Sequence, residues 1–272
     1  MPNRYPRPPW KGNERVIIHG SLDALRGGRE KFSDDYRTAK GSDDVQTASE
    51  AAERVVSECI DPKKMAMLIG TLRTLNLRTL NIVVPYRKPD EAEFRGNAIG
   101  FTFAKITQRF LKRHLPGVDV RFATNIVQTE KVGRTNLSPQ GRFVHQARFA
   151  GDVNAGEHYL IVDDVFTSGG TFAQLRAHII RGKGTFVGGM ALAYANGDKV
   201  ELDLPAAKRQ LNDLKRRFGN GIGPFWKREF GHDLECLTYG EAKRLLDIGK
   251  DLETSGPDGT LIDALRDQFR SA

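Results

Sequence analysis

Cysteine is scarce in this 272-residue chain: there are two, Cys59 and Cys236, far apart and in no metal-ligand spacing. That scarcity speaks against a disulfide-stapled scaffold or a cysteine-based zinc site, and a reduced cytosolic setting is expected. No apolar run approaches the length that spans a bilayer, and the first residues lack the apolar segment of a signal peptide. A cytoplasmic location without a membrane partner is therefore expected. No internal repeat is visible, and no arrangement of Ser, His and Asp suggests a nucleophilic triad. His145 and His158 stand alone, open to either proton transfer or a structural role.

Apolar material for a core is present. Hydrophobic residues make up 39% of the chain, with 15 Phe and 2 Trp, so wholesale disorder is excluded. One α/β domain with appended segments and two domains both remain open at this length. The formal net charge of +8 is unevenly spread. Residues 1–60 carry ten basic and ten acidic side chains, residues 61–150 sixteen against six, and residues from 151 onward 16 against 18. The positive field thus belongs to residues 61–150, where it suits a polyanion such as pyrophosphate or a nucleic acid.

The most informative stretch runs from His158 to Ile180. Tyr159 to Val162 reads as a short buried strand. It ends in two carboxylates, Asp163 and Asp164; a small-residue turn and a segment of helical spacing from Phe172 follow. A strand, a glycine loop and a helix N-terminus make an anion site. Gly169 and Gly170 allow a tight turn and close backbone approach, the first helix amides lack partners, and Thr167, Ser168 and Thr171 add hydroxyl donors. The carboxylates cannot bind that same anion; a sugar diol or a phosphate-bound Mg2+ suits them. An ordinary strand-turn-helix, or the acid pair of a receiver domain, is the alternative.

Val162 through Thr171 (Val-Asp-Asp-Val-Phe-Thr-Ser-Gly-Gly-Thr) resembles the phosphoribosyl pyrophosphate (PRPP) signature of type I phosphoribosyltransferases. The resemblance implies that fold: α/β, with a central, mostly parallel sheet flanked by helices and appended N-terminal and C-terminal segments. It implies that Asp163 and Asp164 serve the ribose hydroxyls, directly or through Mg2+, and that Thr167, Ser168, Gly169, Gly170 and Thr171 wrap the 5′-phosphate. The strand Thr79 to Pro85 ends in Tyr86-Arg87-Lys88, which the resemblance makes the pyrophosphate loop; a solvated basic turn is the alternative. Phe94 to Gly100 is similar to the Arg-Gly-x-Asn stretch of the competence-protein-F-like branch, without that branch's N-terminal cysteine cluster. Arg95 and Asn97 would then order the pyrophosphate loop, or simply enter a helix. Gln128 to Ser138 falls where the family places a mobile lid, with Lys131 and Arg134 facing the leaving pyrophosphate.

Around this centre the chain divides into an N-terminal arm and helical segment (1–60), a phosphoribosyltransferase core (61–200) and a helical C-terminal extension (201–272). Pro2 to Pro9 and Trp10 read as an extended, loosely attached tail. Arg15 to His19 reads as a strand, and 21–40 as loop-rich. Helices are predicted over Val45–Cys59 and Lys63–Leu77, the second with Met67, Leu68, Leu72 and Leu75 inward, then from Phe101 to His114. Strands are predicted at Val118–Phe122 and Thr185–Tyr194, the latter ending near the site at Tyr194 to Asn196, where an acceptor base could be met. Ala206 to Phe218 reads as a basic helix, Thr238 to Glu241 has capping-box spacing, and Thr260 starts a last helix. This extension could serve as a hood over the acceptor site, an oligomer contact or a partner surface.

The function implied is Mg2+-dependent transfer of a phosphoribosyl group from PRPP to a nitrogen acceptor, a nucleobase or related small molecule, with release of pyrophosphate. A homodimer is expected. The alternative is a PRPP-sensing regulatory or nucleic-acid-binding protein that keeps the pocket without turnover.

Overall fold

The computed structural model describes residues 6–12, 14–28, 33–86, 97–129, 139–197, 201–256 and 260–270. β1 (Arg15–Ser21) leads into α1 (Leu22–Arg26) and α2 (Asp34–Gly41). Residues 21–40 were expected to be loop-rich, and the structure corrects this. The Ser21 and Ser33 hydroxyls accept from the Ala24 and Tyr36 amides, both at 3.2 Å, and such caps start short helices that lack a clean apolar period.

α3 (Val45–Cys59) covers the predicted residues. Asp44 caps it by accepting from the Thr47 amide at 2.7 Å, and Ala48, Ala51, Ala52, Val55 and Val56 form its buried stripe. α4 (Pro62–Arg73) opens with proline after the Asp61 cap and buries Met65, Leu68, Ile69 and Leu72, an i, i+3, i+4, i+7 set. Met67 and Leu75, expected inward, lie off that stripe and are 39% and 37% exposed.

β2 (Thr79–Val83), α5 (Ala98–His114) and β3 (Asp119–Phe122) follow, then the two-residue strand β4 (Val127–Gln128), α6 (Pro139–Val144) and β5 (Phe149–Ala150). The centre is β6 (His158–Phe166), α7 (Gly170–Arg181) and β7 (Thr185–Tyr194), with β8 (Glu201–Asp203) at the edge. The six-stranded sheet has the order β3-β2-β6-β7-β1-β8 and is parallel except for β8, which runs antiparallel to β1. This is the expected α/β class, a mostly parallel sheet flanked by helices. One face buries α3, α4 and α5 through residues such as Val56, Leu68, Ile99 and Phe103. The other buries Phe172, Leu175 and Ile179 of α7, together with Phe149 of β5. Both faces being covered explains why β6 reads as a continuous apolar run. Parallel strands also bring their C-terminal ends to one edge, where ligands of open α/β sheets gather.

A third core lies in α8 (Lys208–Phe218), α9 (Ile222–Phe230), α10 (Tyr239–Ser255) and α11 (Leu261–Arg270). Its centre is Trp226, fully buried, stacked on Phe230 with centroids 4.1 Å apart and met edge-on by Phe143 at 5.4 Å. Among the described residues, no helix is long and apolar enough to cross a membrane.

The proline-rich arm is extended, as expected, but it is not loose. Residues 6–12 and Glu14 lie as a strap across α7 and the start of α10. Arg176, 1% exposed at its side chain, donates to the Pro8 and Pro9 carbonyls at 2.9 and 2.8 Å and to Glu14 at 2.7 Å, and lies 4.4 Å from the centre of the Trp10 ring. Trp10 Nε1 donates to the Leu237 carbonyl at 3.0 Å. Arg7 reaches Glu241 through two nitrogens, at 2.6 and 2.9 Å, both side chains being almost wholly buried. Proline suits such a strand because it has no amide to leave unsatisfied, while its carbonyls remain free to accept.

Candidate functional site

β6 runs four residues past Val162, so Asp163 and Asp164 lie inside the strand rather than beyond its end, with Asp163 opposite Ala191 of β7. Asp164 is 8% exposed and forms an ion pair with Lys40 of α2. Its amide donates to Asp163 Oδ1 at 2.9 Å. The two carboxyls are driven apart electrostatically. Burial, reinforced by the neighbouring Asp164 charge, pushes Asp163 well above the usual carboxylate range. Burial would raise Asp164 as well, but Lys40 outweighs it and holds Asp164 below its ordinary value. Lys40 shows the converse: burial opposes its charge, and Asp164 overcomes that and raises its pKa. The result is one carboxyl whose ionised form is favoured beside one whose ionisation burial opposes. Sequence reasoning missed Lys40 because it placed 21–40 in loops; no local signal ties residue 40 to residue 164.

After Phe166 the chain turns through Thr167, Ser168 and Gly169 into α7. Gly169 adopts φ +84°, and a Cβ there would stand 2.7 Å from Phe166 Cζ, so this turn needs glycine. No side chain caps α7, whose positive end faces the loop.

The same sheet edge carries the end of β2. The Tyr86 hydroxyl donates to the Thr124 carbonyl, and its ring meets Phe101 edge-on at 4.8 Å. Asn97 Nδ2 donates to the Pro85 carbonyl at 3.1 Å, tying the start of α5 to the exit of β2. Arg87, Lys88 and Arg95, and Lys131 and Arg134, which the resemblance places in a lid, lie outside the described residues. His158 begins β6, at the opposite end of the strand from the acid pair, and is too remote to exchange protons with a ligand there.

The outer side of the loop is closed by α10. Thr238, its N-cap, donates through its hydroxyl to the Ser168 carbonyl and accepts from the Glu241 amide at 3.0 Å, while Glu241 accepts from the Thr238 amide at 3.0 Å. This is the capping box expected from the spacing. Gly240 rests against the loop: a Cβ there would stand 2.7 Å from Ser168 Cα and O. A cavity of about 160 Å³ remains between loop and helix.

Among the described residues, no three of His, Cys, Asp and Glu come together to hold a metal. Two adjacent carboxylates still fit Mg2+, which takes one or two carboxylates and completes its shell with water and substrate phosphates. Both cysteines are free, and burial pushes the Cys59 thiol up to about 11.

No family model matches the chain. It is 30% identical over 270 residues to Protein TraN of Escherichia coli, covering 99% of this chain and 52% of that protein. It is 29% identical over 148 residues to an uncharacterized protein of Haemophilus influenzae, covering 54% of this chain and 29% of that one. The chain thus spans about half, or less, of the curated relatives it matches. Neither is described as competence-protein-F-like, and the branch-level expectation finds no support in them. Solved structures it resembles include an adenine phosphoribosyltransferase at 14% identity and TM-score 0.28, covering 50% of this chain and 72% of that one. Those of Leishmania tarentolae and Leishmania donovani stand at 15% and 13% identity, with TM-scores of 0.29 and 0.31. The first pairs 54% of this chain with 61% of that one, the second 67% with 65%. These superpositions are too partial to bear on function, and the α/β architecture rests on the strand order itself.

Proposed function

We propose that the chain binds PRPP with Mg2+ and transfers its phosphoribosyl group to a nitrogen acceptor, releasing pyrophosphate. One observation carries this reading: within the unbroken run Val162–Thr171, a buried acid pair and an uncapped helix N-terminus stand on one edge of a parallel sheet. A ligand with a sugar diol at one end and a phosphate at the other matches both. Asp164, ionised, accepts from one ribose hydroxyl; Asp163 serves the other. The α7 amides and the Thr167, Ser168 and Thr171 hydroxyls hold the 5′-phosphate. With the sugar fixed at both ends, C1′ is presented to the acceptor in one orientation, which removes much of the entropy cost of the displacement. Mg2+, when bound, supplies charge neutralisation for the departing pyrophosphate. Arg87, Lys88, Lys131 and Arg134 are assigned the same task from the sequence.

A second reading, a PRPP-responsive regulator, is favoured by the Lys40–Asp164 ion pair, which occupies the ionised acid and links α2 to the site. Calorimetric titration of PRPP with Mg2+ into the wild type and Asp163→Asn/Asp164→Asn tests the pocket. Metal-dependent binding lost in the double variant is expected. Pyrophosphate release across a panel of bases then separates enzyme from regulator, and a well-folded wild type that does not bind PRPP sinks both.

A further inference from the structure

Helix packing brings Lys40 to the acid pair. The residue lies in the last turn of α2, where the negative end of the helix favours a cation. Ala39 beside it is buried, and α2 lies along α3, held there by Arg54, which donates to Asp35 at 3.0 and 2.8 Å. From that seat the ammonium, its side chain mostly buried, meets Asp164, while Asp163 and Tyr36 lie within its electrostatic reach. The acid pair therefore carries little net charge. One carboxylate is answered by Lys40, and the other carboxyl is one whose ionisation burial opposes.

Such a pair is a poor seat for a free divalent cation. Mg2+ demands several oxygen ligands and dehydrates reluctantly, and among the described residues no third His, Cys, Asp or Glu joins the two carboxyls. An ion at Asp164 would also stand beside an ammonium, and the repulsion scales with its double charge. A neutral hydroxyl meets no such penalty and can donate to Asp164 while Lys40 stays in place. We propose that Lys40 is a positioning residue that acts through Asp164 to shut free divalent metal out of the acid pair and leave the pair to a sugar diol. Metal then enters only on the phosphates of the ligand. The inference deepens the proposed function and rests on it for the diol; the exclusion of metal belongs to Lys40 itself and is read without any ribosyl ligand.

The test uses the full chain with no ribosyl ligand and Mn2+ as the probe. This ion prefers oxygen ligands as Mg2+ does, and its free form is counted by electron paramagnetic resonance. The wild type is expected to hold Mn2+ weakly, and Lys40→Met to hold it at least about tenfold more tightly once the ammonium is gone. Lys40→Arg, which keeps the charge, is expected to match the wild type. Lys40→Gln, which keeps a donor for Asp164 without the charge, is expected to match Lys40→Met, and it takes that variant's place should thermal melts show Lys40→Met to be poorly folded. Adding Asp164→Asn to either uncharged variant should remove the gain, which places it at the acid pair. Uncharged variants with wild-type Mn2+ affinity overturn the inference, as does a gain that survives Asp164→Asn; neither result touches PRPP binding by the wild type, so the proposed function stands. A gain in the uncharged variants alongside a wild type that binds no PRPP upholds the inference and counts against the proposed function.

Discussion

Two ion pairs flank the Thr167–Gly169 loop, and they are built to different ends. In the strap, Arg7 and Glu241 are 2% and 6% exposed at their side chains, and the Glu241 carboxylate is further bound by the Thr238 amide. At the acid pair, Lys40 and Asp164 are 29% and 12% exposed at their side chains, beside a second carboxyl whose ionisation burial opposes. The first pair is sealed from water, with both Glu241 oxygens engaged by Arg7 and only Arg7 Nε left without a partner. The second is partly open, which leaves room for a ligand beside it. The contrast teaches that burial of a charge does not by itself mark a functional site; a partly open charge at a sheet edge is the stronger candidate.

The sharpest way to break the comparison is Glu241→Gln. It strands Arg7 in a dry environment and should lower unfolding free energy by about 3–5 kcal/mol in urea titrations, whereas Arg7→Met/Glu241→Leu should recover most of that loss. Next comes acid. His232 packs against Trp226, 6.1 Å between ring centres, with Arg7, Glu241 and Asp233 around it, and burial lowers it to about 4; burial lowers His19 to about 4 as well. Between pH 6.5 and about 4 the unfolded chain binds protons that the folded chain refuses, so stability should fall as pH drops through that window. The ceiling is about 3 kcal/mol per histidine, and denaturant midpoints for His232→Gln at pH 7 and pH 4.5 should show about half of the wild-type loss. Lys40→Met should cost less, about 2 kcal/mol, because this pair is less deeply buried than Arg7–Glu241. A cost equal to that of Glu241→Gln would erase the distinction between the two pairs. Smallest is Arg15→Ala: its pairs with Asp203 and Glu201 lie at 2.9 and 3.3 Å on a side chain 53% exposed, and melts should move by less than about 1 kcal/mol.

Much of the fold was legible where the cause is local. The Asp44 cap and the alanine-valine stripe define α3, the apolar run and flanking turns define β7, and Val162–Thr171 announces its own strand, turn and helix. Legibility failed where the cause is distant. The proline arm reads as a tail because the groups that hold it are Arg176, Leu237 and Glu241, at separations of 167 to 234 positions. Lys40 reads as one more charge in a mixed segment because its partner is 124 positions away. The loop's outer wall was invisible for the same reason: the Thr238 capping box is plain in sequence, but its hydroxyl's contact with Ser168 crosses 70 positions.

The strap joint carries a consequence for timing. Arg7 and Glu241 are separated by 234 residues, so their contact is among the longest loop closures the molecule makes. Contacts of such separation form late and slow the approach to the native state. During synthesis at about 5–20 residues per second, β1, β2, β6 and β7 are all made at least about 2–9 s before Glu241 is. Over that interval the sheet can assemble with its glycine loop in place but unroofed. The docking of α10 onto Ser168, locked by the strap, then follows assembly of the sheet, so that the Thr167–Gly169 loop is covered only after Glu241 has been made.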